Sequence, residues 1–307
     1  MPENVKSERA DLYRTVTEKI VAQIEAGAGE YRMPWHHDGS SVGRPKNVLS
    51  DVPYRGINVV MLVIAARAAG YLTGQWATYR QWKEVGAQVR NNERGTLIVF
   101  WKRLADDGPQ AQPESDVMEP DNEASPRPRI VARGYTVFNA SQVDGYVAFE
   151  PAPLPEVARI DRAEQFYRHL EIDTRFGGNQ AYYVPSKDYI QVPPLERFRD
   201  AESFYATLLH EGAHATSARH RLNRNLSTRF GSEAYAMEEM IAEWASAMAC
   251  ASLGLCAEVR QNHASYIADW LAVLRRDPRA VFTAAARAQG IVDWMWNRQP
   301  LTEHPEN

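Results

Sequence analysis

The sequence predicts an α+β protein in two parts: a mixed N-terminal domain over residues 1–150 and a mostly helical C-terminal domain over 151–307. Three observations carry this. Hydrophobic spacing changes from helical to strand-like within the first half, a proline-rich break follows, and long alanine-rich stretches fill the rest. With 307 residues, the chain is long enough to bury two cores.

Taking the elements in order, Leu12, Val16, Ile20 and Ile24 recur every fourth residue, so residues 9–26 read as an amphipathic helix stopped by Gly27 and Gly29. A second helix is expected from Ile57 to Ala69, closed by Gly70. A short third one has Thr78 as N-cap and ends at Val85 before Gly86. Residues 96–101 (TLIVFW) and 130–138 (IVARGYTVF) are rich in β-branched and aromatic residues and read as paired strands. Residues 104–129 between them carry Pro, Ser and acid with little to bury, and are expected to be a mobile acidic insert. Residues 149–159 hold three prolines in five positions, which places the domain boundary there. A helix over 161–170, a hairpin over 181–194 and several long helices complete the chain.

Composition narrows the function. No uncharged apolar run approaches the roughly 18 residues needed to span a bilayer, and the early positive charge of MPENVKSERADLYR has no apolar stretch behind it. A soluble protein of the cytoplasm, without a membrane partner, is expected. The two cysteines, Cys250 and Cys256, lack CxxC spacing and read as core thiols in a reducing compartment. The net charge of −4 argues against a wholly basic nucleic-acid binder. Its distribution is uneven, however: residues 31–104 hold 11 Lys plus Arg against 4 Asp plus Glu, net +7, and residues 105–157 hold 3 against 10, net −7.

The chemistry-bearing motif is His210-Glu211-Gly212-Ala213-His214. Helical periodicity puts the two histidines on one face, where two imidazoles grip one ion, and zinc favours such nitrogen ligands while keeping one position for water. Glu211 directly follows the first histidine, placed to act as general base. Two candidates compete for the third ligand. His220 has the HExxHxxGxxH spacing, but that turn calls for Gly at 217 and the chain has Ser217. The preferred candidate is Glu239, in an acid pair, Glu239 and Glu243, four apart on an alanine-rich apolar stretch; Glu243 would then hold a ligand histidine by its second ring nitrogen. Zinc is expected, with manganese or another divalent transition metal tolerated. Tyr189, Tyr205 and Tyr235 are candidate donors to an oxyanion.

In the basic stretch, Tyr54, Arg55, Trp76, Tyr79, Arg80, Lys83, Arg90, Arg94, Lys102 and Arg103 interleave rings with cations, a mixture suited to stacking on bases and neutralising phosphates of single-stranded nucleic acid. The competing reading is that Trp76, Trp82 and Trp101 are core and the cations a solvated face.

These motifs, in this order, resemble the ArdC-like antirestriction proteins of conjugative plasmids, which are related to the N-terminal part of TraC primases. The resemblance runs through MPW, PYRGINVVML, WATYRQWKEVGAQVR, TLIVFWKR and YTVFNASQVDG in the first half. In the second it runs through AYYVPSKDYIQVPP, FYATLLHEGAHAT, RLNRNLSTRFGSEAYAMEEMIAEWASAM and YIADWLAVLRRDPRAVFTAAARAQ. It implies an N-terminal domain that binds single-stranded DNA without sequence preference, joined to a zincin-like, gluzincin-type metallopeptidase domain that protects incoming plasmid DNA from restriction. It implies metal ligands at His210, His214 and Glu239, and Glu211 as base. A host restriction protein or another protein substrate is a further possible partner. The alternatives are a site-specific metalloprotease recruited to DNA, and a pure DNA-binding protein with a structural metal site.

Overall fold

The computed structural model describes residues 3–27, 44–104, 129–148, 154–224, 226, 232–255 and 263–300. Helix α1 (Glu3–Gly27) opens the chain, and Val16, Ile20 and Ile24 are fully buried along one face, as their spacing requires. Helix α2 (Ile57–Ala69) stops at Gly70, whose φ of 67° is the left-handed conformation that closes helices. Helix α3 (Tyr79–Glu84) starts on a capping box in which Thr78 and Gln81 satisfy each other's backbone donors. All three match their sequence signals.

Strands β1 (Lys46–Asn47), β2 (Gln75–Thr78), β4 (Thr96–Leu104) and β5 (Arg129–Asn139) form a sheet in the order β1-β2-β5-β4. The two expected strands pair antiparallel from Thr96 opposite Val137 to Leu104 opposite Arg129. Asn58, on α2, ties its helix to this sheet by donating to Val99 O and accepting from Val99 N, both at 2.8 Å. A two-stranded pair, β3 (Gln88–Val89) with β6 (Val143–Asp144), covers a small separate core around Trp82. Most of the expected acidic insert, residues 105–128, lies outside the described residues, as do Cys256, Gly29 and positions 149–153 of the proline-rich break.

In the second half, α4 (Glu156–Arg168) begins at Glu156 rather than at 161, directly after Pro155, which is its N-cap in an extended conformation without a side-chain cap. The expected hairpin is present as β8 (Tyr182–Val184) and β9 (Tyr189–Val192), but it belongs to a three-stranded sheet. Strand β7 (Thr174–Phe176) pairs parallel to β9, giving the order β7-β9-β8. Three residues are too short for an alternating pattern to announce β7. Helices α5 (Ala201–Ala215), α6 (Glu233–Leu253), α7 (His263–Arg276) and α8 (Ala280–Asn297) complete the fold, with α6 packed between α5 and α8.

The hydrophobic core runs without a break from one half into the other. Phe282, on α8, meets Tyr13 at 4.6 Å between ring centroids and Trp101 at 5.9 Å. Arg55 pairs with Asp293 at 2.6 Å, the Gly56 N–H donates to buried Gln289 at 3.0 Å, and Thr17 donates to Pro278 O at 2.8 Å. Truncating Phe282 to Ala should cost about 3–5 kcal/mol and, because the core is shared, shift one cooperative unfolding transition measured by urea denaturation. Two separate transitions with only one displaced would contradict the shared core.

Candidate metal centre

Helix α5 begins at Asp200, whose carboxylate accepts from Ser203 N at 2.7 Å, and carries the HExxH residues on the face that it buries. Helix α6 begins at Ser232, which accepts from Tyr235 N at 3.2 Å, and stops at Gly254 with φ 74°. Ala242, Ala245 and Ala249 on α6 are fully buried, so the two backbones can lie close, and Ser246 stitches them by donating to Ala206 O at 3.1 Å. The meeting of these helices sets the site.

His210 Nε2 and His214 Nε2 are 3.1 Å apart. Glu239 offers Oε2 at 3.6 Å from the first and Oε1 at 3.5 Å from the second. Four-coordinate zinc with bonds of about 2.0–2.1 Å spaces neighbouring ligand atoms by about 3.3 Å, so the two ring nitrogens and the carboxylate stand close to the separations that one such ion requires. Among the described residues, this is the one grouping of three or more possible donors compact enough for a single ion. His220 is elsewhere: its side chain is 64% exposed and stands 3.5 Å from Asp188.

The outer partners explain why the ring nitrogens point inward. His214 Nδ1 stands 3.3 Å from Glu238 Oε1, and His210 Nδ1 stands 3.5 Å from Glu243 Oε2. A carboxylate only accepts, so a proton on His214 Nδ1 would face Glu238 and leave Nε2 to present its lone pair, and Glu243 stands behind His210 in the same way. Two lone pairs and a carboxylate facing one another repel unless a cation lies between them. The donor set therefore fits a divalent ion with open coordination positions. Burial works against charge on Glu239, but the two imidazoles, when protonated, donate to it and add positive charge, and together with a hydrogen bond from Tyr235 they outweigh burial and hold the carboxyl down at about 2. Tyr235 is thus engaged with Glu239 rather than free for an oxyanion.

Glu211 is buried within α5. Its charge adds to the burial that pushes the Tyr167 hydroxyl up to about 12, so Glu211 and Tyr167 are neighbours. Glu238 and the Arg224 that grips it were not singled out by sequence reasoning. Both lie within the segment RLNRNLSTRFGSEAYAMEEMIAEWASAM that carries the family resemblance, but nothing in that segment marks a role for either.

The basic face is thinner than its sequence suggests. Trp76 is fully buried and Tyr54 is 4% exposed, so neither can stack on a base; this corrects their reading as DNA contacts. Trp82 and Trp101 are core as well. Arg55 is held by Asp293, and Arg90 is engaged with Glu93 at 2.8 Å, Ser141 O at 2.5 Å and Asp144 at 3.7 Å. Tyr79, 45% exposed, with Lys83 Nζ 5.2 Å from its ring centroid, remains at the surface with exposed Arg80 and Arg94. The side chains of Lys102 and Arg103 lie outside the described residues.

With this geometry in view, comparison with known proteins decides the family. A crystal structure of the metal-free antirestriction protein ArdC from plasmid R388 superposes with a TM-score of 0.72 at 36% identity, covering 94% of this chain and 97% of that one. The chain belongs to the ArdC antirestriction family. The Mn(II)-bound ArdC structure superposes with a TM-score of 0.70 at 37% identity over the same shares. The model of the N-terminal domain of anti-restriction factor ArdC matches residues 10–138, and a zincin-like metallopeptidase model matches 161–287. An uncharacterised Sinorhizobium fredii protein, y4eC, is 55% identical over 296 residues, 96% of this chain and 95% of its own length. DNA primase TraC of Escherichia coli is 34% identical over 291 residues; this ArdC-family chain spans 20% of that primase and is matched over 92% of itself. Among the described residues, no helix is long and apolar enough to cross a membrane.

The β8–β9 turn is tied to the end of α5 through Asp188, which accepts from Arg221 at 2.6 and 3.2 Å and from Tyr183 at 2.8 Å. Burial raises the Asp188 carboxyl, but the hydrogen bonds from Arg221 and Tyr183 outweigh it and hold it below the ordinary value. A lowered folded value means stability that is present above the ordinary aspartate range and lost as pH falls through the folded value. Asp188→Asn should therefore be less stable than the parent at pH 7 by urea unfolding, with the gap closing below about pH 4. An undiminished gap at acid pH would contradict this.

Proposed function

We propose that this chain is an antirestriction protein whose C-terminal part, within 151–307, holds a divalent cation, zinc first, for peptide hydrolysis. Its N-terminal part, within 1–150, binds single-stranded DNA in the cytoplasm of a host cell that receives a conjugative plasmid. The observation that carries the hydrolytic reading is the convergence of His210 Nε2, His214 Nε2 and a Glu239 oxygen, with Glu211 next to the first ligand on the same helix. A Mn(II)-bound relative supports a divalent ion, and the antirestriction family supports the biological role.

The chemistry assigned to each residue follows from its place. When bound, a divalent cation polarises a scissile carbonyl and lowers the pKa of an attacking water. His210, His214 and Glu239 would hold it. The Glu211 carboxylate takes the proton from the water oxygen and delivers it to the leaving amine nitrogen. Strand β8 stands at an edge of its sheet beside α5, where an extended peptide would add as a further strand.

On the DNA side the reading narrows to Tyr79, Arg80 and Lys83 on α3 and to Arg94 as direct contacts, with Arg90 bracing the turn that carries Arg94 through Glu93 and Ser141 O. Exposed Tyr79 offers a ring for a base, and the cations neutralise phosphates without reading sequence. The alternative, a DNA-binding protein whose metal site is only structural, stays open because the same ligand set would also rivet α5 to α6.

Plasmid transfer into a restricting host separates these readings. With the parent protein, Glu211→Gln and Arg80→Ala/Lys83→Ala compared, protection should fall in both variants. Glu211→Gln should keep its metal and lose cleavage by at least about 100-fold. The double variant should lower the slope of log affinity against log salt for single-stranded DNA by about 1.4. Full protection by Glu211→Gln would remove the hydrolytic half and favour the structural site. An unchanged salt slope would remove Arg80 and Lys83 from the DNA contact.

A further inference from the structure

We propose that Arg224 and Glu238 form a positioning pair for the cation site, an inference that rests on the divalent-cation reading above. Arg224 Nη1 donates to Glu238 Oε1 and Oε2 at 2.8 and 2.5 Å, while its Nη2 donates to Ala213 O at 2.7 Å and to Thr216 Oγ1 at 3.1 Å. Ala213 immediately precedes His214 on α5, and Glu238 immediately precedes Glu239 on α6. One rigid, planar guanidinium thus grips the residue before a ligand on each of the two helices and fixes the spacing between them.

The same grip controls His214. Glu238 Oε1 stands 3.3 Å from His214 Nδ1, and the carboxylate stays aimed there because Arg224 holds both of its oxygens. The proton is kept on Nδ1, and Nε2 remains free to face the cation. All three side chains are nearly buried, at 13% for Arg224, 9% for Glu238 and 12% for His214. The guanidinium is the charge partner of this buried carboxylate, held through both oxygens. Arg224 also occupies one of the last carbonyls of α5, where a cation is favoured by the helix end.

Arg221 provides an internal control. It is just as buried, at 6%, and donates to Ala215 O at 2.9 Å at the same helix end, but its other contacts go to Asp188 on the hairpin and not to a ligand partner. A merely structural role for Arg224 would make the two arginines alike in their effect on metal binding.

The test uses the full chain, stripped of metal by chelation and titrated with Zn2+ against a competing chelator, with thermal unfolding of the metal-free proteins alongside. Arg224→Ala and Glu238→Ala should each weaken zinc binding about 10- to 100-fold. The double variant should lose no more than the stronger single one, because the two act as a unit. Arg221→Ala should lower the thermal midpoint yet keep the parent affinity, and the visible absorption of the Co2+-loaded protein should change in Arg224→Ala but not in Arg221→Ala. If Arg224→Ala does not fold, the isosteric Glu238→Gln carries the same test. Parent-like zinc affinity and Co2+ spectrum in Arg224→Ala, or parent-like affinity in Glu238→Gln, overturn the positioning pair. A parent protein that takes up no stoichiometric Zn2+ or Co2+ overturns the cation reading itself, and the pair with it.

Discussion

Electron pairs from two imidazoles and one carboxylate are aimed at a common point between α5 and α6, from side chains that are 6%, 12% and 13% exposed. With lone pairs facing one another such an arrangement is repulsive and desolvated besides, so a cation, ring protons or the surrounding scaffold must sustain it. Much of the C-terminal half can be understood as that scaffold. The alanine face of α6 lets the helices approach, Ser246 stitches them together, and carboxylates behind each histidine turn the lone pairs inward.

Helix α6 does most of this work with one stripe of its surface. Tyr235, Glu238, Glu239 and Glu243 fall at intervals of three, one and four residues, which places them along one side of the helix facing α5. Glu239 faces both imidazoles, and Tyr235, Glu238 and Glu243 stand behind the donors. The opposite side of α6 packs on α8, which in turn meets the N-terminal half through Phe282, Gln289 and Asp293. The site is thereby braced by the same core that holds the basic face, with Phe282 seated between Tyr13 and Trp101.

The parts of this architecture that were legible in the sequence are those governed by local rules. Gly70 and Thr78 marked helix ends because left-handed backbone and side-chain capping are properties of single residues. His210 and His214 declared a shared face because spacing within one helix is enough to place them. Glu239 was reachable because an acid interrupting an alanine-rich stretch calls for a reason. What stayed hidden depends on segments distant in the chain. Nothing local marks Arg224 as the group between Ala213 and Glu238, and β7 is too short to show a period. Trp76 and Tyr54 looked like stacking residues because sequence gives composition but not which side of a sheet or loop faces the core.

X-ray absorption at the zinc edge on the purified, zinc-reconstituted protein addresses the central geometry most directly. The account predicts one ion per chain, with the multiple-scattering signature of two imidazoles at about 2.0–2.1 Å and a carboxylate oxygen that disappears in Glu239→Ala. A bound ion without the imidazole signature, or a spectrum unchanged by removing Glu239, would contradict it.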